Sequence, residues 1–476
     1  MNISIILKQS CLVLCCLTIL LSCKSEPQTT YDVIIKNGNL IHLEDGSVSI
    51  SNILINDNRI TKIISDSDLA NIQAETIIDA KGKFIVPGFW DNHTHFRGGD
   101  SLINANKNFL KLFMANGITT VRDAGGDLTS SVLEWRKAIA KNELVGPTIF
   151  TSGPKIDGPG GTWAGSLEVD TDETITKALD SLQSIPSDFV KIYDSRISGK
   201  DYLKVIQEAE KRNLITSGHM PFTVELDATI DAGIDAVEHL YYIMKGCSNS
   251  EKEITIKLID KEIGFWDAMP LLQSSFSDST ALKTFEHLKS NDVFVVPTLH
   301  IGGVLSYLDK VDHTNDAYLK YMSDGIQQTY KGRIDRVKNA TEKQVTDRKA
   351  LDTFFGKLAY KLNKNGVSLL AGSDSGAYNS YTYPGISLHK EMEAMVATGI
   401  SPLDALKSSA YNGAKFLKLD ADYGTISEGK IADIVLLNSN PLEDIKSTKD
   451  IFMVISNGNQ HTKTDLDNLL TSAIAN

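Results

Sequence analysis

Five short segments of this chain carry side chains that can hold a metal ion or move a proton, and each follows an apolar run. The first reads Asp91-Asn92-His93-Thr94-His95. In extended backbone, residues two apart point to the same side, so the imidazoles of His93 and His95 can converge on one cation. Lys191 lies inside Asp188-Phe189-Val190-Lys191-Ile192-Tyr193, and His219 stands in Gly218-His219-Met220. His239 follows Val237-Glu238, and Asp374 lies in Gly372-Ser373-Asp374-Ser375-Gly376. Taken singly, each has a plain structural explanation. A His-x-His pair can be structural, a lysine on an apolar strand can pair with a buried acid, and an aspartate before a helix can cap it. Their joint placement at strand ends is what points to a metal-assisted centre.

The elements that must position them alternate in period. Apolar runs occur at Phe84–Val86, Ile118–Val121, Thr148–Thr151, Phe189–Ile192, Leu214–Ser217, Ala236–Val237, Val293–Val296 and Val367–Leu370. Stretches with helical spacing lie between them, such as 201–213, where Leu203, Ile206 and Ala209 share a face. Ser401-Pro402-Leu403-Asp404 reads as an N-cap with proline at the first helical position. Eight strands separated by helices predict an α/β fold, a (β/α)8 TIM-like barrel whose catalytic residues stand at the C-terminal strand ends. The connections after the sixth and seventh strands are long and charge-rich, which predicts helical insertions or lids. Both ends of the body are different. Asp32–Ile35, Ile50–Ile55 and Ile60–Ile64 are strand-like, the last two joined by the turn signal Asn56-Asp57-Asn58, and Ile431–Leu437 and Met453–Ile455 resemble them. A small β-sandwich domain built from both termini is expected, over 31–83 and 421–465, around a barrel over 84–420.

Of 476 residues, 42% are hydrophobic and 23% charged, as in an ordinary globular protein. The formal charge of −12 provides no overall basic field for nucleic acid. Four of the five cysteines (Cys11, Cys15, Cys16 and Cys23) precede residue 24, so the body carries neither a disulfide framework nor a cysteine zinc site. Lys8, the apolar run Cys11–Leu21 and the ending Leu20-Leu21-Ser22-Cys23 resemble a bacterial lipoprotein signal. That resemblance implies cleavage before Cys23, a lipidated Cys23, a tether over 23–30, and a membrane-anchored chain facing an extracytoplasmic space.

The whole set resembles the amidohydrolase superfamily, from Asn37-Gly38 through His93-x-His95 to Gly429-Lys430-Ile431-Ala432-Asp433. It is most similar to the branch of imidazolonepropionase-like proteins and metal-dependent Xaa-Pro dipeptidases, through Phe189-Val190-Lys191-Ile192, Val237-Glu238-His239 and Pro297-Thr298-Leu299. The resemblance implies two divalent ions, zinc foremost among the metals that nitrogen and oxygen ligands suit. His93, His95 and Asp374 would hold one, His219 and His239 the other, and Lys191, carboxylated by carbon dioxide, would bridge them. A free ammonium would be repelled by two cations, whereas a carbamate is an anionic ligand with two oxygens. The implied chemistry is hydrolysis of an amide-like carbon–nitrogen bond in a small molecule by a bridging hydroxide, with Asp374 as general acid and base.

Tyr242 and His300 are candidate substrate contacts, each equally readable as an ordinary rim or loop residue. Dipeptidase relatives carry a histidine shortly after the third strand; here Ser152 to Trp163 contains none, and Trp163 or Lys155 stand where it would act. A dipeptidase, a non-catalytic ligand-binding lipoprotein, and a lyase or isomerase on the same scaffold are the competing readings. The oligomeric state is not legible in the sequence.

Overall fold

The computed structural model describes residues 30–69 and 72–475. The signal-like segment ending at Cys23, and the tether as far as residue 29, lie outside the described residues. Among the described residues no helix is long and apolar enough to cross a membrane.

Parallel strands form the barrel. Phe89–Thr94, Ile118–Asp123 and Thr148–Thr151 pair in that order. Val190–Ile192, Thr216–Gly218, Ala236–Glu238 and Phe294–Val296 form a second parallel run. The two runs meet where Asp188 N donates to Thr151 O (2.8 Å) and Tyr193 N to Ile156 O (2.9 Å). The eighth position is a short extended stretch near Leu369–Ser375. It closes the ring through Leu370 N to Val295 O, Asn92 N to Ala371 O and His95 N to Ser375 O, each 2.9 Å. These strands are short and, apart from Thr148 and Phe294 at their starts, buried, so side chains that alternate along them either fill the barrel or reach its upper rim.

A second sheet is assembled from both ends of the described chain. Thr30–Ile41 pairs with Val48–Asn56, Gln73–Asp79 and Phe84–Pro87, and the last of these pairs antiparallel with Ile434–Leu437. Ile434–Leu437 then pairs with Ile451–Ser456, and that with Asn459–Thr462. Its own apolar core includes Ile35, Ile53, Ile55, Ile85, Ile434 and Ile455. The expected hairpin turn is present, with Asp57 at φ 51° between Val48–Asn56 and Arg59–Ile64.

One strand assignment is corrected. Phe84–Val86 belongs to this second sheet, and the first barrel strand is Phe89–Thr94, which itself carries His93. Two buried strands in immediate succession read as one apolar run plus a loop, because periodicity cannot part them. The boundary is Gly88, where a Cβ would meet Thr119 side-chain atoms at 2.1–2.8 Å.

Helices cover the barrel as expected. Gly199–Lys211 buries Tyr202, Val205, Ile206 and Ala209. Ser401 Oγ accepts from Asp404 N at 3.1 Å, capping a helix that begins at Pro402. The long connections are helical: Leu240–Gly246, Glu251–Ile259, Phe265–Ser274 and Asp278–Ser290 follow the sixth strand. Leu299–Ser306, Asp324–Lys338 and Glu342–Lys364 follow the seventh. Cys247 is a free, buried thiol, with its pKa raised by burial.

Candidate metal centre

Four histidines meet at the C-terminal rim of the barrel. Adjacent ring centroids are 5.0 Å apart for His93 and His95, 5.2 Å for His93 and His239, and 4.8 Å for His239 and His219. Each ring has its Nδ1 facing an acceptor. His93 Nδ1 bonds the Glu238 carboxylate, and His95 Nδ1 lies 2.8 Å from the Gly125 carbonyl. His219 Nδ1 lies 3.2 Å from Asp194 Oδ1. His239 Nδ1 lies 2.7 Å from Thr298 Oγ1, whose own hydrogen is directed to the Pro297 carbonyl at 2.8 Å. Carbonyls and carboxylates can only accept, so they fix the proton on Nδ1 of His93, His95 and His219, and a Thr298 hydroxyl directed to Pro297 sets the same tautomer in His239. Four Nε2 lone pairs are thereby left for a ligand, the arrangement in which metal-binding histidines are held. Burial lowers the pKa of His95 and His239 well below the ordinary value, with Arg97 acting in the same direction on the first and His219 on the second. Neutral imidazoles are the form that binds metal.

His93 Nε2, His95 Nε2 and Asp374 Oδ1 form a compact triad: the two nitrogens are 3.2 Å apart, and the oxygen lies 3.6 Å and 3.2 Å from them. Asn379 Nδ2 donates to Asp374 Oδ1 at 2.6 Å and fixes the carboxylate. Lys191 is fully buried and lines the same cleft as His95, His219, His239 and Asp374. Its Nζ comes within 3.3 Å of Glu238 Oε1 yet makes no hydrogen bond. A buried ammonium without hydrogen bonds is costly; burial brings its pKa down to about 8 against the pull of Glu238. The His93, His95 and Asp374 donor set fits a divalent metal ion, with the buried Lys191 amine beside it.

The backbone is strained where the site residues leave their strands. His239, Thr298 and Asp374, after strands six, seven and eight, have φ of 69°, 49° and 52°. Such left-handed backbone is rare outside glycine and genuinely unusual for a β-branched threonine. It turns the side chains into the cleft instead of along the barrel wall.

The structure brings all six expected ligands together and sorts the expected substrate contacts. Trp163 lines the cleft. Tyr242 does not; it is buried and its phenol donates to Asp194 Oδ2 at 2.8 Å, so it supports His219 through Asp194. Successive helical residues are turned by about 100°, and in Leu240–Gly246 it is Tyr241 that faces the cleft. His300 is also corrected: its neighbours Ile301 and Gly302 line the cleft and it does not. Its backbone N donates to Glu391 Oε2 at 2.6 Å, and burial lowers its imidazole pKa to about 4.

Several contributors carry no motif. Glu238 joins His93, Lys191, Ser217 and Arg122 in one buried network, with Arg122 Nη2 at 3.0 Å. Burial would raise its carboxyl, but Arg122 and then His93 and Lys191 hold it well below the usual range. The signal was an ionisable residue in each of two apolar strands, Glu238 and Arg122. Arg97, two residues beyond His95, and Arg333, from the insertion helix Asp324–Lys338, also line the cleft.

The chain matches the amidohydrolase family over residues 84–460 and belongs to it. The family is metal-dependent, and the chain is a hydrolase acting on carbon–nitrogen bonds of small molecules. Ochratoxinase of Aspergillus niger is 23% identical over 452 residues, covering 81% of this chain and 78% of that one. A 5-methylthioadenosine/S-adenosylhomocysteine deaminase of Acetivibrio thermocellus is 23% identical over 466 residues, covering 90% and 93%. Among solved structures, bottromycin amidohydrolase superposes with a TM-score of 0.72 at 19% identity, covering 95% of this chain and 92% of that one. A Xaa-Pro dipeptidase with bound methionine gives 0.66 at 20% identity, covering 90% and 99%. These two likenesses speak for the shared fold.

Proposed function

We propose that this protein is a binuclear metallohydrolase of an amide-like bond, in which His93, His95 and Asp374 hold one divalent ion and His219 and His239 a second. Lys191, carboxylated by carbon dioxide, joins the two. The observation that carries the reading is the shared tautomer: all four Nδ1 atoms face acceptors, and all four Nε2 atoms are left for ligation. Zinc is the ion best matched to these ligands. Divalent ions bound there would supply a nucleophilic water at neutral pH and polarise the substrate carbonyl.

The chain's own groups do the rest. Asp374, held by Asn379, accepts the proton of the attacking water and delivers it to the leaving nitrogen. Glu238 and Asp194 keep His93 and His219 in the binding tautomer. Leu240, Tyr241, Ile301, Leu305 and Phe355 give the cleft an apolar wall that seats the substrate and excludes water. A metallodipeptidase is the narrower form of this reading, supported by the likeness to the Xaa-Pro dipeptidase.

Elemental analysis and amide turnover test it. The native protein is expected to hold two ions per chain, and Lys191→Ala to lose at least one of them and metal-dependent turnover. Wild-type rates in that variant would overturn the bridging role. Two tightly held ions with no turnover of any N-acyl amino acid, dipeptide or lactam would favour a binding protein instead. The reading includes an anchor through lipidated Cys23, supported by the Leu20–Cys23 sequence. Cys23→Ser is expected to move the protein from the membrane to the soluble fraction, and an unchanged distribution would remove the anchor.

A further inference from the structure

We propose that a cationic chamber beside the metal cleft binds an oxyanion carried by the substrate, through Arg97, Lys155, Trp163 and Arg333. The proposal rests on the hydrolase reading above and narrows its substrate to amides that join an apolar group to an anionic one.

The chamber encloses about 490 Å³ and shares Arg97, Trp163, Tyr193 and Arg333 with the metal cleft. Its wall carries four cations, Arg97, Lys155, Arg333 and Arg336, against one carboxylate, Asp127. That carboxylate is engaged, since Asp127 Oδ1 accepts from Gly98 N at 2.8 Å. Asp374 in the adjoining cleft acts on Arg97, Lys155 and Arg333, and Asp123 on Lys155, yet the four cations still outnumber these acids, and their mutual repulsion grows as water is excluded.

Arg333 is partly engaged, through Nε to the Tyr378 carbonyl at 2.8 Å and Nη2 to Asn379 Oδ1 at 2.6 Å, whereas Arg97 and Lys155 leave most of their hydrogen-bond capacity unused. Among the described residues the Arg97 side chain makes one hydrogen bond, from Nε to the Ala377 carbonyl at 2.9 Å, although it is only 4% exposed. Lys155 Nζ and Trp163 Nε1 are buried donors without an acceptor. Buried polar groups are nearly always paired, so two orphans in one wall call for an acceptor the chain does not itself supply. The guanidinium of Arg97 sits 4.1 Å from the Trp163 ring centre and Lys155 Nζ 4.8 Å from it. Cation–π packing explains why both cations seek the indole. It leaves unexplained why Lys155 Nζ and Trp163 Nε1 both lack acceptors. An oxyanion satisfies all of them, and charge-assisted hydrogen bonds to carboxylate or phosphate are the strong kind.

Position assigns the geometry. Arg97, Lys155, Trp163 and Tyr193 follow strands one, three and four, whereas the apolar wall (Leu240, Tyr241, Ile301, Leu305) follows strands six and seven. The metal ligands lie between. A substrate seated there presents its apolar group to one side and its charge to the other, with the amide over the histidines. Lys155 and Trp163 also occupy the segment after the third strand that lacks a histidine.

Binding of N-benzoylglycine, its carboxamide, and N-benzoylaminomethylphosphonate is measured by calorimetry, on metal-loaded and on chelator-treated protein. The charged probes are expected to bind at least tenfold more tightly than the carboxamide in both states, because the chamber is built without metal ligands. Lys155→Met and Trp163→Phe, each checked for an unchanged melting temperature, are expected to shrink that preference to about twofold. The phosphonate binding as well as the carboxylate assigns the chamber to oxyanions in general; a difference between them selects one. Equal affinity for charged and neutral probes, a preference that vanishes on chelation, or a preference untouched by both variants would overturn the proposal. If Lys155→Met does not fold, Trp163→Phe and the loss of the preference at high salt decide. Turnover of neutral amides without a charge preference would sink the chamber and leave the hydrolase standing. A charge preference in a protein that turns over no amide would do the reverse.

Discussion

Glu238 has its two oxygens divided among four partners: Oε2 takes His93, and Oε1 faces Arg122, Ser217 and Lys191. One carboxylate therefore sets the tautomer of His93, a proposed metal ligand, and balances a buried guanidinium. Breaking a buried ion pair from one side costs about 3–5 kcal/mol, and losing an outer partner of a metal ligand costs roughly 10–100-fold in metal affinity. Glu238→Gln is thus expected to lower the unfolding free energy by an amount in the former range and to release the ion at His93 first, as read by chemical unfolding and by competition with a chelator. At this scale the clustered residues were legible, since histidine, lysine and aspartate stand out at the ends of apolar runs. Their supports were not. Glu238, Arg122 and Asp194 are ordinary residue types whose partners lie from 21 to 145 residues away in the chain, and no spacing rule connects them. Tyr242 was misplaced for the same reason: a one-residue helical step decides whether a phenol faces the cleft or Asp194.

At the scale of elements, the strand ends are the working parts. Val190–Ile192 and Thr216–Gly218 run parallel, with Ile192 opposite Gly218, and this pairing sets Lys191 beside the strand that delivers His219. A Cβ on Gly218 would fall 2.3 Å from the Ile192 carbonyl oxygen, so the register tolerates no side chain there. Forcing one into a packed interior costs about 1–3 kcal/mol. Gly218→Ala is expected to lower stability by that order and, more specifically, to drop metal content from two ions per chain to one, because His219 is displaced while the His93–His95–Asp374 triad is not. Two ions retained in a folded variant would contradict the assignment of His219. The barrel was legible from alternating periods, and the helical insertions from the length of their connections. The first strand was miscounted because Phe84–Pro87 and Phe89–Thr94 follow each other with only Gly88 between. Arg333 sits on an insertion helix with no motif at all, so only the folded chain shows where it goes.

At the scale of the molecule, Asp433 sits at the Gly88 boundary between the two sheets. Its carbonyl accepts from Gly88 N at 2.9 Å, and its Oδ1 from Asn457 N at 2.6 Å, while Oδ2 is buried without a partner. Burial raises this carboxyl from 3.8 to about 7. The folded protein therefore holds a proton that the unfolded chain releases near pH 4, and stability from this group is complete below that pH and lost as pH rises through 7. Asp433→Asn keeps the acceptor for Asn457 and has no proton to lose. Its melting temperature relative to wild type is expected to climb between pH 4 and pH 7; a difference that stays flat across this window would show that Asp433 is ionised in the folded state.

The edge of Phe84–Pro87 is completed by Ile434–Leu437, a stretch that leaves the ribosome only after the whole barrel has been made. Until then the nascent chain exposes an apolar edge, Phe84-Ile85-Val86-Pro87, with nothing to pair it, the kind of surface that recruits other chains. Fusions and deletions at the far end of the reading frame should therefore be judged by solubility first, because they act on a seam the cell has to close last.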